Sequence, residues 1–140
     1  MDALTVERAT GERAAMPEAM AQALSAIFGE RFTTSPGVRD HHGRDESPYE
    51  LCAPDAVVFA HDTAEISQLL KLANTHQVPV IPYGAGSSVE GQILAVRGGI
   101  SLDLGRMDQV LQVDEDDMTA TVQAGLRRLN LNEAVRHCGL

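Results

Sequence analysis

A change of texture at Pro54 constrains the fold of this chain more than any other feature. Residues 56–60, AVVFA, form a short apolar, β-branched run of the kind found in a buried strand. Asp62 and Glu65 follow at the spacing of a capping box, in which each carboxylate accepts from a backbone amide that has no partner within the helix. Ile66, Leu69, Leu70 and Ala73 continue at helical spacing, which predicts an amphipathic helix over residues 63–76. VPVI at residues 78–81 reads as a second strand, and PYGAGSSVEG at residues 82–91 follows directly. The result is a strand, helix, strand unit with a glycine-rich loop at its exit.

The flanking sequence adds simpler elements. Residues 1–16 carry little hydrophobic periodicity and are expected to fray, whereas PEAMAQALSAIF at residues 17–28 predicts a helix with Pro17 in its first turn and Gly29 as its stop. Residues 33–54 mix Ser, Pro, Gly, Asp and two adjacent histidines without a helical or strand period, which predicts a long ordered lead-in or loop. Beyond the glycine loop, GISLDL is a third strand, and QVLQVD and MTATVQA flank the acidic turn Asp114–Asp117 as a hairpin. Asn130 with Glu133 repeats the capping pattern ahead of Leu131, Ala134, Val135 and Cys138, so a final helix should run toward Gly139. The fold class expected is α+β, a small mixed sheet flanked by helices. Residues 1–53 form its N-terminal helix and lead-in, and residues 54–140 form the first part of a ligand-binding domain.

Composition narrows the function. Acidic residues outnumber basic ones nine to five over residues 1–53 and eleven to six over residues 54–140, giving a net charge of −9 with no basic patch. Aromatic residues are 4% of the chain and Trp is absent. Nucleic-acid binding is therefore not expected, and an anionic ligand would have to be held by backbone amides rather than by the overall field. Cys52 and Cys138 lack CxxC spacing and read as free thiols in a reducing compartment. No apolar run is long enough to span a membrane, and MDALTVERATGER fits neither a signal nor a transit peptide, so a cytoplasmic protein is expected.

A pyrophosphate can be solvated by converging backbone N–H groups if no Cβ stands in the way, and Gly84, Gly86 and Gly91 meet that need. Ser87 and Ser88 add hydroxyl donors, Pro82 fixes the chain as it leaves the strand, and Glu90 must point away. The loop is not a Walker loop, which needs GxxxxGK[ST] and hence a lysine. Nor is it a dinucleotide fingerprint, since its spacing is GxGxxxxG and no helical stripe follows over residues 89–99. Read alone, such a connection is equally at home as a structural turn.

The wider wording resembles the FAD-linked oxidase family, of the vanillyl-alcohol oxidase or p-cresol methylhydroxylase (PCMH) type, in its D-lactate dehydrogenase and glycolate oxidase branch. The matching pieces are HGRDESPYE from His42, PDAVVFAHDTAEISQLLKLANTHQVPVIPYGAGSSVEG from Pro54, GGISLDLGRMDQVLQVD from Gly98 and VQAGLRRLNLNEAVRHCGL from Val122. The resemblance implies that Pro82, Tyr83, Gly84, Ala85, Gly86, Ser87 and Ser88 wrap the FAD pyrophosphate through backbone amides. Gly91 would close the loop, and Ala124 with Gly125 would lie on the adenosine side. Some relatives attach FAD through a histidine in this loop; the corresponding stretch here is Gly84–Ser87, which implies noncovalent FAD. Family members continue past Gly139-Leu140 into a second FAD subdomain and a substrate domain, so this chain is expected to be inactive alone. It would be a truncated form or the FAD-binding piece of a split enzyme with a carboxy-terminal partner chain. The alternative is a non-catalytic flavin- or nucleotide-binding module that needs a partner chain.

Other polar groups invite weaker readings. His41, His42, Asp45 and Glu46 suggest a metal cluster, but adjacent side chains in an extended segment diverge, and the stretch is better read as a cover for the FAD domain. His61, His76 and His137 fall at element ends on solvent faces, and Asp114–Asp117 lacks calcium-loop spacing. No catalytic residue and no metal ligand is assigned.

Overall fold

The computed structural model describes residues 15–139, so the fraying expected of the N-terminus falls largely on residues 1–14, outside that range. One sheet has four strands in the order β1 (Phe32–Thr33), β2 (Ala56–Phe59), β4 (Ile100–Asp103) and β3 (Val80–Tyr83). Strands β2, β4 and β3 run parallel, and β1 pairs antiparallel to β2. Parallel strands need a long crossover, which α3 (Thr63–His76) supplies between β2 and β3. A separate hairpin, β5 (Val110–Asp114) and β6 (Thr119–Val122), carries the acidic turn at its tip. A small mixed sheet with helices is the α+β class the sequence led to.

The core forms where helical and strand periods meet. Helix α1 (Glu18–Phe28) buries Met20, Leu24 and Phe28, spaced four apart on one face, and α3 buries Leu69 and Ala73. These pack with Val58, Ile100 and Leu102 from the sheet and Ala60 just past β2 in a single cluster. Burying each large apolar side chain contributes about 1.5–3 kcal/mol. The start of α3 is fixed as the capping pattern requires: Asp62 accepts from Glu65 N at 2.9 Å and Glu65 accepts from His61 N at 2.8 Å. Arg31 adds a forked contact to Glu65, both N–O distances being 2.6 Å, and donates to Phe59 O at 3.2 Å.

Three expectations change. The second strand starts two residues late and takes in Pro82, which is tolerated because β3 is an edge strand and needs no N–H on its outer side. The segment 33–54 is not a loop throughout, since residues 36–42 form helix α2 (Pro36–His42). Pro36 opens α2, and Arg39 Nε pins it by donating to Pro54 O at 2.7 Å. The last helix, α4 (Arg128–Val135), begins ahead of Asn130, so Asn130 lies inside it rather than capping it.

Candidate functional site

The site sits at the carboxyl ends of the parallel strands. In-register pairing sets Phe59, Asp103 and Tyr83 side by side on β2, β4 and β3. Helix α2 seats His42 on that row, its ring centroid 4.1 Å from Tyr83 and 5.8 Å from Phe59, edge-on to the latter. His42 is 3% exposed. The glycine loop leaves β3 from this floor, at the edge of the sheet where open α/β folds place their ligands.

Tyr83 anchors the loop from below. Its ring is buried, and its hydroxyl lies 3.2 Å from His41 Nε2. Burial, with the Asp103 carboxylate beside it, raises the Tyr83 pKa, so the phenol stays a neutral hydrogen-bonding group. Gly86 passes directly over that hydroxyl with φ +70°, and a Cβ there would land on Tyr83 Oη. Gly84, Ala85 and Ser87 are exposed, whereas Gly86 and Ser88 are half-buried. No described residue accepts a hydrogen bond from the N–H of Gly84, Ala85, Gly86, Ser87 or Ser88. The amides of Gly84, Ala85 and Ser87 open to solvent, while those of the half-buried Gly86 and Ser88 are the ones for which an acceptor from outside the chain would replace water.

The segment after α2 forms the opposite wall. Asp45 accepts from Gly91 N at 3.0 Å and from Ser47 N at 3.1 Å, and Glu46 N donates to Ser88 O at 2.9 Å. Burial works to raise the Asp45 carboxyl, but hydrogen bonds from Ser47, Ser88 and Gly91 outweigh it and hold the group below the usual range. Between the walls lies a cleft of about 500 Å³, lined in part by Asp40, His41, Arg44, Ala85 and Gly86. Glu90 is exposed and takes a hydrogen bond from Gln92 at 3.3 Å.

Pro82 is exposed on β3, at the root of the loop. Gly125 packs against the turn after β4: its N–H donates to Met107 O at 2.9 Å, and a Cβ on it would fall on the Leu104 carbonyl. Leu104 N in turn donates to Tyr83 O at 3.0 Å, so Gly125 and the exposed Ala124 reach the same end of the sheet as the loop. His41 and His42 do not diverge as an extended segment would have them do: from the last turn of α2 their rings meet edge-on with centroids 5.5 Å apart and both lie against Tyr83, while His42 also reaches Asp103. Sequence reasoning read the run from His42, with Arg44 and Asp45, as a cover for the domain without assigning either residue to the site, and missed Asp103. His61 and His137 are exposed, and His76 is half-buried at the end of α3. Glu115, His137 and Cys138 bring one donor atom each within 4.8 Å of one another beside the hairpin turn.

Comparison with known proteins agrees with this geometry. Residues 54–140 match the family described as FAD binding domain. A probable mitochondrial D-lactate dehydrogenase of Danio rerio is 35% identical over 133 residues, covering 95% of this chain and 27% of the relative. Glycolate oxidase subunit GlcD of Bacillus subtilis (strain 168) is 37% identical over 119 residues, covering 85% and 25%. An alkyldihydroxyacetonephosphate synthase structure superposes with TM-score 0.80 at 28% identity, covering 99% of this chain and 28% of that one. p-Cresol methylhydroxylase, at 19% identity and TM-score 0.80 over 92% of this chain and 27% of its own, shares the fold. The chain thus spans about a quarter of the length of these relatives. Among the described residues no helix is long and apolar enough to cross a membrane. The open amides, the glycine over Tyr83 and the adjoining cleft suit a pyrophosphate-bearing cofactor, and with these matches the chain belongs to the FAD binding domain family.

Proposed function

We propose that this chain supplies the pyrophosphate-binding part of a flavin-dependent dehydrogenase or oxidase acting on a 2-hydroxy acid, D-lactate or glycolate. The reading is carried by the five N–H groups from Gly84 to Ser88, which have no acceptor among the described residues and of which those of Ala85 and Gly86 belong to residues lining the cleft. Converging amides stabilise phosphate charge without a lysine, which suits a chain of net charge −9. Pro82 and Tyr83 fix the root, Ser87 adds a hydroxyl, Ser88 adds its amide while its hydroxyl is held by Gln92, Gly91 closes the loop, and Ala124 with Gly125 flank the adenosine. FAD is held noncovalently, because Gly84–Ser87 offer no histidine to bond to the flavin.

Bound FAD supplies a hydride acceptor, while the chain binds and orients it. No residue here is assigned to catalysis. In this reading the groups that bind and deprotonate the 2-hydroxy acid lie outside residues 1–140, in a carboxy-terminal partner chain. Residues 1–53 act as lead-in and residues 54–140 as the first part of the FAD-binding domain. Free Cys52 and Cys138 support a reducing, cytoplasmic location, which fractionation of the native host tests.

Titration with FAD, followed by flavin fluorescence, tests the function, with riboflavin as the comparator that lacks a pyrophosphate. Saturable binding at least about tenfold tighter for FAD is expected. Equal affinities, or none for FAD, would reject the reading. D-lactate or glycolate should bleach the flavin band only after the partner chain is added.

A further inference from the structure

Resting on the FAD reading, we infer that the FAD site extends outside the family-matched residues 54–140: the turn 40–47 is its second wall, and Asp45 is a positioning residue for the glycine loop. The loop has few anchors of its own. Residues 84–99 form no helix or strand, and the N–H groups of Gly84–Ser88 have no acceptor among the described residues. The two bonds that set its far limb both come from the earlier segment: Gly91 N to Asp45 Oδ2 at 3.0 Å, and Ser88 O from Glu46 N at 2.9 Å. They bracket Val89 and Glu90 and hold the limb against the segment that follows α2.

The Asp45 carboxylate is compatible with a pyrophosphate nearby because its acceptor capacity is directed elsewhere. One oxygen takes Ser47 N and Ser47 Oγ, and the other takes Gly91 N. Its charge is thereby spread over donors from Ser47, Ser88 and Gly91. Gly91, at φ +80°, is the turn that lets its N–H reach Asp45. Arg44 and His41 on the same wall line the cleft together with the carboxylates of Asp40, Asp45 and Glu46. An asparagine at position 45 keeps one carbonyl acceptor, enough for Gly91 or Ser47 N but not both.

The test compares the unsubstituted chain with Asp45→Ala and Asp45→Asn by FAD titration and by NMR-detected hydrogen exchange. Asp45→Ala should weaken FAD binding about tenfold and speed exchange of the Gly91 amide, while amides of Ile100–Asp103 keep their protection. Asp45→Asn should recover part of the loss, to about threefold. Unchanged FAD affinity with an unchanged Gly91 amide overturns the inference. Should Asp45→Ala unfold, Asp45→Asn decides, and wild-type affinity in that variant is the overturning result. Failure of the unsubstituted chain to bind FAD rejects the FAD reading itself, and this inference with it.

Discussion

His42 Nε2 lies 2.9 Å from Asp103 Oδ2, and its Nδ1 lies 2.9 Å from Val38 O, so a buried ring ties α2 to the end of the central strand β4. Both ring nitrogens face acceptors. His42→Phe would keep the packing against Tyr83 and Phe59 but strand the half-buried Asp103 carboxylate and the Val38 carbonyl. A loss of about 2–4 kcal/mol is expected, measured as the shift of a urea unfolding midpoint. Wild-type stability in that variant would mean the contact is dispensable.

How much of this was legible in the sequence depends on where each element gets its stability. Strand β2 and helix α3 could be read because their signals are local: AVVFA is uniformly apolar, and Asp62 and Glu65 cap the helix from adjoining residues. Helix α2 could not, since PGVRDHH has no apolar stripe and its anchors, Pro54 O and Asp103, lie 15 and 61 residues away from their partners. The Arg31–Glu65 fork is likewise a contact across 34 residues that no spacing announces. Strand β3 was misregistered because a proline normally signals a strand's end, and only the sheet order shows that Pro82 stands on an edge. The glycine loop and the covering stretch from His42 were legible as separate segments, but the contact that joins them, Gly91 to Asp45 across 46 residues, was not.

Gly86→Val should abolish FAD binding. The new Cβ would occupy the place of the Tyr83 hydroxyl, and φ +70° disfavours a β-branched residue by about 1–3 kcal/mol, so the loop must lift from its floor. Flavin titration of the folded variant checks this; retained affinity would place the cofactor elsewhere.

Gly125→Ala should destabilise the fold by about 3 kcal/mol, because the added carbon meets the Leu104 carbonyl, which is backbone and cannot swing aside as a side chain could. The Gly125 N to Met107 O bond would break with it. Thermal unfolding monitored by circular dichroism reads the effect directly.

The Arg31–Glu65 pair should make stability sensitive to acid. The hydrogen-bonded guanidinium, followed by the amide of His61, holds the Glu65 carboxyl at about 2, below its ordinary 4.5. A depressed folded-state pKa stabilises the fold above the unfolded value, so this contribution is full above about pH 4.5 and fades as pH falls toward 2. Glu65→Gln should cost about 1 kcal/mol at neutral pH and flatten that part of the pH–stability profile. An unaltered profile would show that the pair contributes nothing.

The central claim is that FAD is held by the open amides above Tyr83, and NMR of the isotopically labelled chain during an FAD titration tests it at those atoms. The amide resonances of Gly84–Ser88 should shift saturably and gain protection from exchange with FAD but not with riboflavin. Saturable binding that leaves those five resonances unmoved would contradict the account.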